Sequence, residues 1–188
     1  KYKEKLRMRG YGEIKEDSMV FLEIKKKYQG VVYKRRARFT MGQARTYLET
    51  GICPEERNQI LNEIDYFIRF YRPKPRVYLA YDREAFVGNE DETLRITIDR
   101  NIRSRSHCLE LSFDGECEMQ NPGEYLMEIK VSGAYPIWLA NLLGKCEIYP
   151  TSFSKYGTVY ARMVSHDRVY DWTAYKDVEY NVLGYAQS

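Results

Sequence analysis

Alternation of apolar and charged residues dominates the chain. In residues 19–39, MVFLEIKKKYQGVVYKRRARF, Val20, Leu22 and Ile24 share one face, and Glu23, Lys25 and Lys27 share the other. After Gln29-Gly30, Tyr33, Ala37 and Phe39 alternate with Lys34, Arg36 and Arg38. A period of two on either side of a two-residue turn predicts a β-hairpin. The same period predicts further strands over about 5–11, 76–87, 94–100, 124–131 and 157–163, seven in all, with 108–113 as a short additional one. Three stretches have helical spacing. Thr40 with Gln43 forms a capping-box signature for a short helix ending near Gly51. Pro54 opens a longer helix to about Tyr71, with Ile60, Ile64, Phe67, Ile68 and Tyr71 on one face. A third runs from Pro136 to Leu143, with Gly144 as its stop. The Tyr-rich, charged tail over 167–188 has no clear period, and a strand and a partner-binding extension both suit it.

The charged faces are unusual in their content. Lys5, Arg7 and Arg9 alternate with Leu6 and Met8, and Tyr81 shares a side with Arg83. Arg95, Thr97 and Asp99 alternate with Leu94, Ile96 and Ile98, and Glu128 and Lys130 with Met127, Ile129 and Val131. Each strand thus offers one apolar and one charged face, and the amphipathic helices are available to cover the apolar ones. If they do, the charged faces converge inside a closed antiparallel barrel, whose side chains alternate in and out. Burying so many cations without partners is prohibitive, so such an interior has to be wet and hold a polyanion. Glu23, Asp99 and Glu128 within it would offset part of the charge and could hold a divalent cation. The alternative is an open sheet whose charged faces meet solvent.

Composition narrows the options. The 188 residues, 44% hydrophobic and 30% charged, suit one soluble domain with a buried core. The apolar clusters are too short for a membrane span, and no signal-peptide pattern opens the chain. It begins with Lys1, which is expected of a fragment. Net charge is +3, but residues 1–38 carry 13 Lys and Arg against 5 Asp and Glu, a local +8 that leaves −5 for the rest. Such a concentrated basic region points to a polyanionic ligand. Cys53, Cys108, Cys117 and Cys146 form no CxxC and no zinc-like set with His107 or His166. They read as free thiols in a reducing cytoplasm. Nothing supports a Ser-His-Asp or Cys-His mechanism.

Seven pieces, in order, resemble one known family. They are KLRMRGYG (5–12), VFLEIKKK (20–27), KRRARFT (34–40), YDREAFVG (81–88), LRITIDRNIR (94–103), LMEIKVSGAYPIWLANLL (126–143) and FSKYG (153–157). Together they resemble the polyphosphate polymerase (VTC) domain of the CYTH-like triphosphate tunnel enzymes. The resemblance implies an α+β fold: an antiparallel β-barrel or tunnel covered by helices, spanning 1–163, with 164–188 as an extension of unknown role. The family has an additional N-terminal strand region with no counterpart among these pieces, so the tunnel is expected to lack that strand.

By motif, the resemblance makes Arg7 and Arg9 paired strand arginines, with Lys25, Arg36 and Arg38 as basic residues of the next two strands. Tyr81, Arg83 and Arg95 match its phosphate clamp, and Glu128 matches the carboxylate for Mn²⁺ or Mg²⁺. Ser154 and Lys155 match its SK pair at one tunnel end. The implied activity is transfer of the γ-phosphate of ATP to a growing inorganic polyphosphate chain. Arg7, Arg9, Arg83, Arg95 and Lys155 would be the catalytic cations. Lys25, Arg36, Arg38, Tyr81, Lys130 and Ser154 would bind substrate. Glu128, with Glu23 or Asp99, would place the metal. Hydrolysis of tripolyphosphate or a nucleoside triphosphate, with pyrophosphate or triphosphate as a ligand, is the nearest alternative. A non-catalytic polyphosphate-binding module, with a protein partner at the tail, is another. Nucleic acid fits poorly, because no aromatic RNP-like motif is present.

Overall fold

A computed structural model describes residues 2–54, 58–113, 115–166 and 179–186, without the side chains of 164–166 and 179–186. The elements run β1 (Lys3–Arg9), β2 (Met19–Tyr28), β3 (Val31–Thr40), α1 (Met41–Thr50), α2 (Gln59–Tyr71), β4 (Pro75–Val87) and β5 (Arg95–Arg105). Then follow β6 (Glu118–Met119), β7 (Leu126–Lys130), α3 (Ile137–Lys145), α4 (Lys155–His166) and β8 (Glu179–Ala186).

The β2–β3 hairpin turns at Gln29 and Gly30, both left-handed at φ 47° and 85°. That is the twist a two-residue hairpin needs, and it sets the register Glu23 to Arg36 and Lys25 to Lys34. The Thr40 cap forms as expected: Gln43 N–H donates to Thr40 Oγ1 at 3.2 Å, and the Gln43 side chain accepts from Thr40 N–H at 2.8 Å. Gly51 closes α1 at φ 73°. The second helix begins later than Pro54, because extended Asn58 caps it by accepting from Leu61 N–H at 3.0 Å.

All strands belong to one sheet, ordered β3-β2-β1-β8-β4-β5-β6, with β7 also on β5. Pairing is antiparallel except at β8, which lies parallel to both β1 and β4. Part of the tail is therefore a strand, placed at the centre of the sheet; 167–178 and 187–188 lie outside the described residues. Among the described residues the hydrogen-bonded path runs from the β3 edge to β6 and β7 and does not close. The fold is a mixed α+β sheet with four described helices.

One face of β1–β3 packs under α1 and α2. Leu6, Met8, Val20, Leu22, Ile24 and Phe39 meet Met41, Ala44, Tyr47, Leu61, Ile64 and Phe67 there, all buried. Each of the larger side chains contributes about 1.5–3 kcal/mol by leaving water. Tyr33, expected on this face, sits at its rim and is exposed. The other sheet face carries a smaller cluster: Val77, Leu79, Tyr81 and Ile102 against Tyr156 and Val159. A bulge between Ala80 and Asp82, with Asn101 at φ 50° opposite, keeps Asp99 and Ile102 on that same face.

Three expectations are corrected. Residues 157–163 are helix, not strand. Tyr156, Val159, Tyr160 and Met163 recur at 3.6 spacing onto β4, and Ser154 caps the start by accepting from Gly157 N–H at 3.1 Å. Valine and tyrosine content favoured a strand there, but tertiary packing decided. Residues 108–113 are not a strand either. The buried Arg105 guanidinium gathers the carbonyls of Cys108, Glu110 and Phe113 at 2.8–2.9 Å, whereas a strand would point the Phe113 carbonyl away from the other two. Finally, α3 covers little: Leu139 is buried, while Ile137, Trp138 and Leu142 are exposed. The cysteines are free. No helix among the described residues is long and apolar enough to cross a membrane.

Candidate functional site

The polar face of the sheet curls into a trough with three charged walls. On the first, Arg7 and Glu23 stand opposite each other in the β1–β2 register. Glu23 Oε2 accepts from Arg7 Nε at 3.0 Å and from its Nη2. Lys34 Nζ lies 3.3 Å and Arg9 Nη1 3.9 Å from Oε1. The Glu23 side chain is only 3% exposed. Burial alone would raise its pKa, but Arg7, Arg9 and Lys34 outweigh it and hold the carboxyl below its ordinary value.

This shift sets a pH dependence. A carboxyl with a depressed folded pKa contributes stability above its unfolded value of about 4.3, and that contribution is lost as pH falls through the folded value. Glu23→Gln is therefore expected to be less stable than the parent at neutral pH, with the difference closing in acid. Urea midpoints measured across that range would test this; a gap that stays constant with pH would contradict it.

The second wall repeats the arrangement. Arg83 and Asp99 face each other in the β4–β5 register. Arg83 Nε donates to Asp99 Oδ1 at 2.5 Å and Nη2 to Oδ2 at 2.7 Å. Lys155 Nζ, from the first residue of α4, reaches Oδ2 at 2.5 Å. Both cations lie over the ring of buried Tyr81, with Lys155 at 4.5 Å and Arg83 at 5.1 Å from its centroid. Burial pulls the Lys155 pKa below the usual lysine range, although the hydrogen bond and charge of Asp99 oppose the shift.

The third wall is β7. Glu128 stands opposite Thr97, is 48% exposed, and has Lys130 Nζ at 3.2 Å. The Thr97 hydroxyl is buried and has no hydrogen-bond partner.

These walls enclose a cavity of about 370 Å³. Eight cations line it (Lys5, Arg7, Arg9, Lys25, Lys34, Arg83, Lys130 and Lys155) against two carboxylates, Glu23 and Glu128. An adjoining space of about 410 Å³ shares Arg9, Arg83, Glu128 and Lys130 and extends to Tyr11, Thr97 and Arg95. An anion is the ligand chemistry that such an imbalance accepts. A larger cavity, about 560 Å³, opens beside Ser104, but its two arginines are engaged with loop carbonyls and with Gln120 and Asn121.

The family model for the VTC domain matches residues 1–164. This chain belongs to the VTC domain family. No curated protein matches the sequence. Membership gives the VTC domain described here a polyphosphate-related function.

Within this VTC domain, the structure gathers most of the expected residues around the two cavities and leaves three outside their lining. Arg7, Arg9, Lys25, Tyr81, Arg83, Glu128, Lys130, Ser154 and Lys155 line the first cavity, together with Glu23, and Arg95 lines the second. Arg36 and Arg38 are on the edge strand β3, exposed, and line neither. Asp99 lies behind the wall, with both oxygens accepting from Arg83 and Lys155. Lys5 and Lys34 also line the cavity; both open matched pieces, though the resemblance gives neither a named role. Lys34 was identifiable as the hairpin partner of Lys25, and Lys5 by its alternation with Arg7.

Among the described residues no three His, Cys, Asp or Glu side chains come together as a metal cage. Mg²⁺, however, is usually held by one or two carboxylates plus substrate phosphates. Half-exposed Glu128, on the wall of both cavities beside the unpartnered Thr97 hydroxyl, fits that mode. Glu23 and Asp99 fit it less well, since their oxygens already face cations.

Proposed function

We propose that this VTC domain is a metal-dependent polyphosphate polymerase, with a linear phosphate chain lying along the trough as through a tunnel. The eight cations against two carboxylates around one cavity carry this reading. A terminal chain oxygen attacks the γ-phosphorus of ATP, the bond to the β-phosphate oxygen breaks, and ADP leaves with the electron pair. Phosphoryl transfer of this kind depends mostly on positioning and charge neutralisation. Arg7 and Arg83 offer guanidinium forks suited to paired phosphate oxygens. Lys25, Lys34 and Lys130 neutralise the chain along its length, and Tyr81 and Lys155 fix one end. Glu128 would hold Mg²⁺ or Mn²⁺, which would supply neutralisation of phosphate charge.

The test is product analysis after incubation with ATP and Mn²⁺. Polyphosphate ladders with matching ADP support the polymerase. Orthophosphate alone assigns a hydrolase on the same trough. Tight tripolyphosphate binding without turnover assigns a binding module.

A further inference from the structure

Two buried carboxylates pair with cations on the first and second walls of the trough; Glu23 lines the cavity and Asp99 does not. Each is the cross-strand partner of an arginine: Glu23 of Arg7, and Asp99 of Arg83. Each also takes a second cation from a different element, Lys34 of β3 or Lys155 of α4. The Asp99 side chain is 1% exposed, and it does not line either cavity that its cations line. Arg83 and Lys155 are like charges stacked over one Tyr81 ring, and their repulsion is offset by the carboxylate between them. Three hydrogen bonds of 2.5–2.7 Å fix both heads from behind while the trough lies in front.

We infer that Asp99 is a positioning residue: an anionic latch that aims Arg83 and Lys155 into the cavity and competes with bound phosphate for both. This rests on the anion-binding reading of the trough. It gives Asp99 no part in holding a metal. The latch works through opposed effects. It orders two long side chains and the start of α4 before substrate arrives, which favours the transfer geometry. It also weakens anion binding, because its charge repels phosphate held on the same cations.

The two effects separate in Asp99→Asn, which keeps the shape and removes the charge. Metal-free tripolyphosphate affinity, measured by calorimetry, is expected to tighten by about tenfold. Turnover is expected to fall by roughly 100-fold, from misplacement of the two cations. Asp99→Glu keeps the charge but shifts its position, so affinity should stay near the parent value while turnover still falls. Thermal midpoints with and without tripolyphosphate control for folding, and the anion should raise the midpoint of Asp99→Asn more than that of the parent. Weaker metal-free binding in Asp99→Asn would overturn the latch in favour of a structural support. Unchanged metal-free binding with a raised Mn²⁺ requirement would overturn it in favour of a metal ligand. A parent protein that binds no tripolyphosphate would instead refute the anion site itself, and the latch with it.

Discussion

Arg83→Ala is expected to lose both stability and anion binding, whereas removing a partly exposed arginine from the same hairpin should cost little of either. Arg83 is the bidentate partner of a buried carboxylate, and its truncation leaves Asp99 with Lys155. Breaking a buried pair by removing one member costs about 3–5 kcal/mol, and the surviving lysine places this case near 3. For a chain of this size that lowers the thermal midpoint by roughly 6–12 °C. The same substitution removes a guanidinium from the wall of both cavities. Losing a desolvated, charge-assisted contact of that kind weakens tripolyphosphate binding by roughly 30- to 1000-fold. Arg100→Ala is the contrast. Its partner Glu84 lies 3.5 Å away and is 53% exposed, so the pair is worth about 0–1 kcal/mol. Melting curves and calorimetry on the two variants would decide; equal losses would mean that the Arg83–Asp99 geometry carries no special weight.

Sequence patterning reached the trough because the trough is made of strands. A period of two assigns each side chain to a face without knowledge of the partner strand, so the Lys5/Arg7/Arg9, Glu23/Lys25/Lys34 and Glu128/Lys130 sets were readable directly. The Thr40 box and Gly51 cap were readable for a similar reason, since their hydrogen bonds close within a few residues. What escaped depends on distant contacts. Whether 157–163 is strand or helix turned on β4 offering Val77, Leu79 and Tyr81 to a 3.6-spaced stripe, which no local rule supplies. The central place of β8 likewise comes from pairing with β1 and β4, some 100 to 170 residues earlier in the chain. Strand alternation grouped Asp99 and Glu23 with Glu128 because all three are carboxylates on charged faces. Burial separates Asp99 from Glu128: one lies behind its cations, and the other stands half-exposed in front of the trough.

That separation gives Glu128→Gln a distinctive outcome. Like Asp99→Asn it removes one negative charge near bound phosphate, so metal-free tripolyphosphate binding should persist, and the gain should be smaller because water screens a half-exposed carboxylate. Unlike Asp99, Glu128 has its Lys130 partner on its own strand, so its loss strands no buried charge and the melting curve should scarcely move. The metal response should change most. With the carboxylate gone, phosphate oxygens alone would have to hold Mg²⁺ or Mn²⁺ against the wall, and turnover should fall by roughly 1000-fold or more at any metal concentration. Titrating Mn²⁺ against turnover, beside calorimetry of tripolyphosphate with and without the metal, separates the possibilities. Full activity in Glu128→Gln would remove the metal role from this residue. Binding lost together with activity would make Glu128 a structural member of the wall. Binding kept and metal response abolished would leave the holding of a charge-neutralising cation as what this carboxylate contributes to transfer.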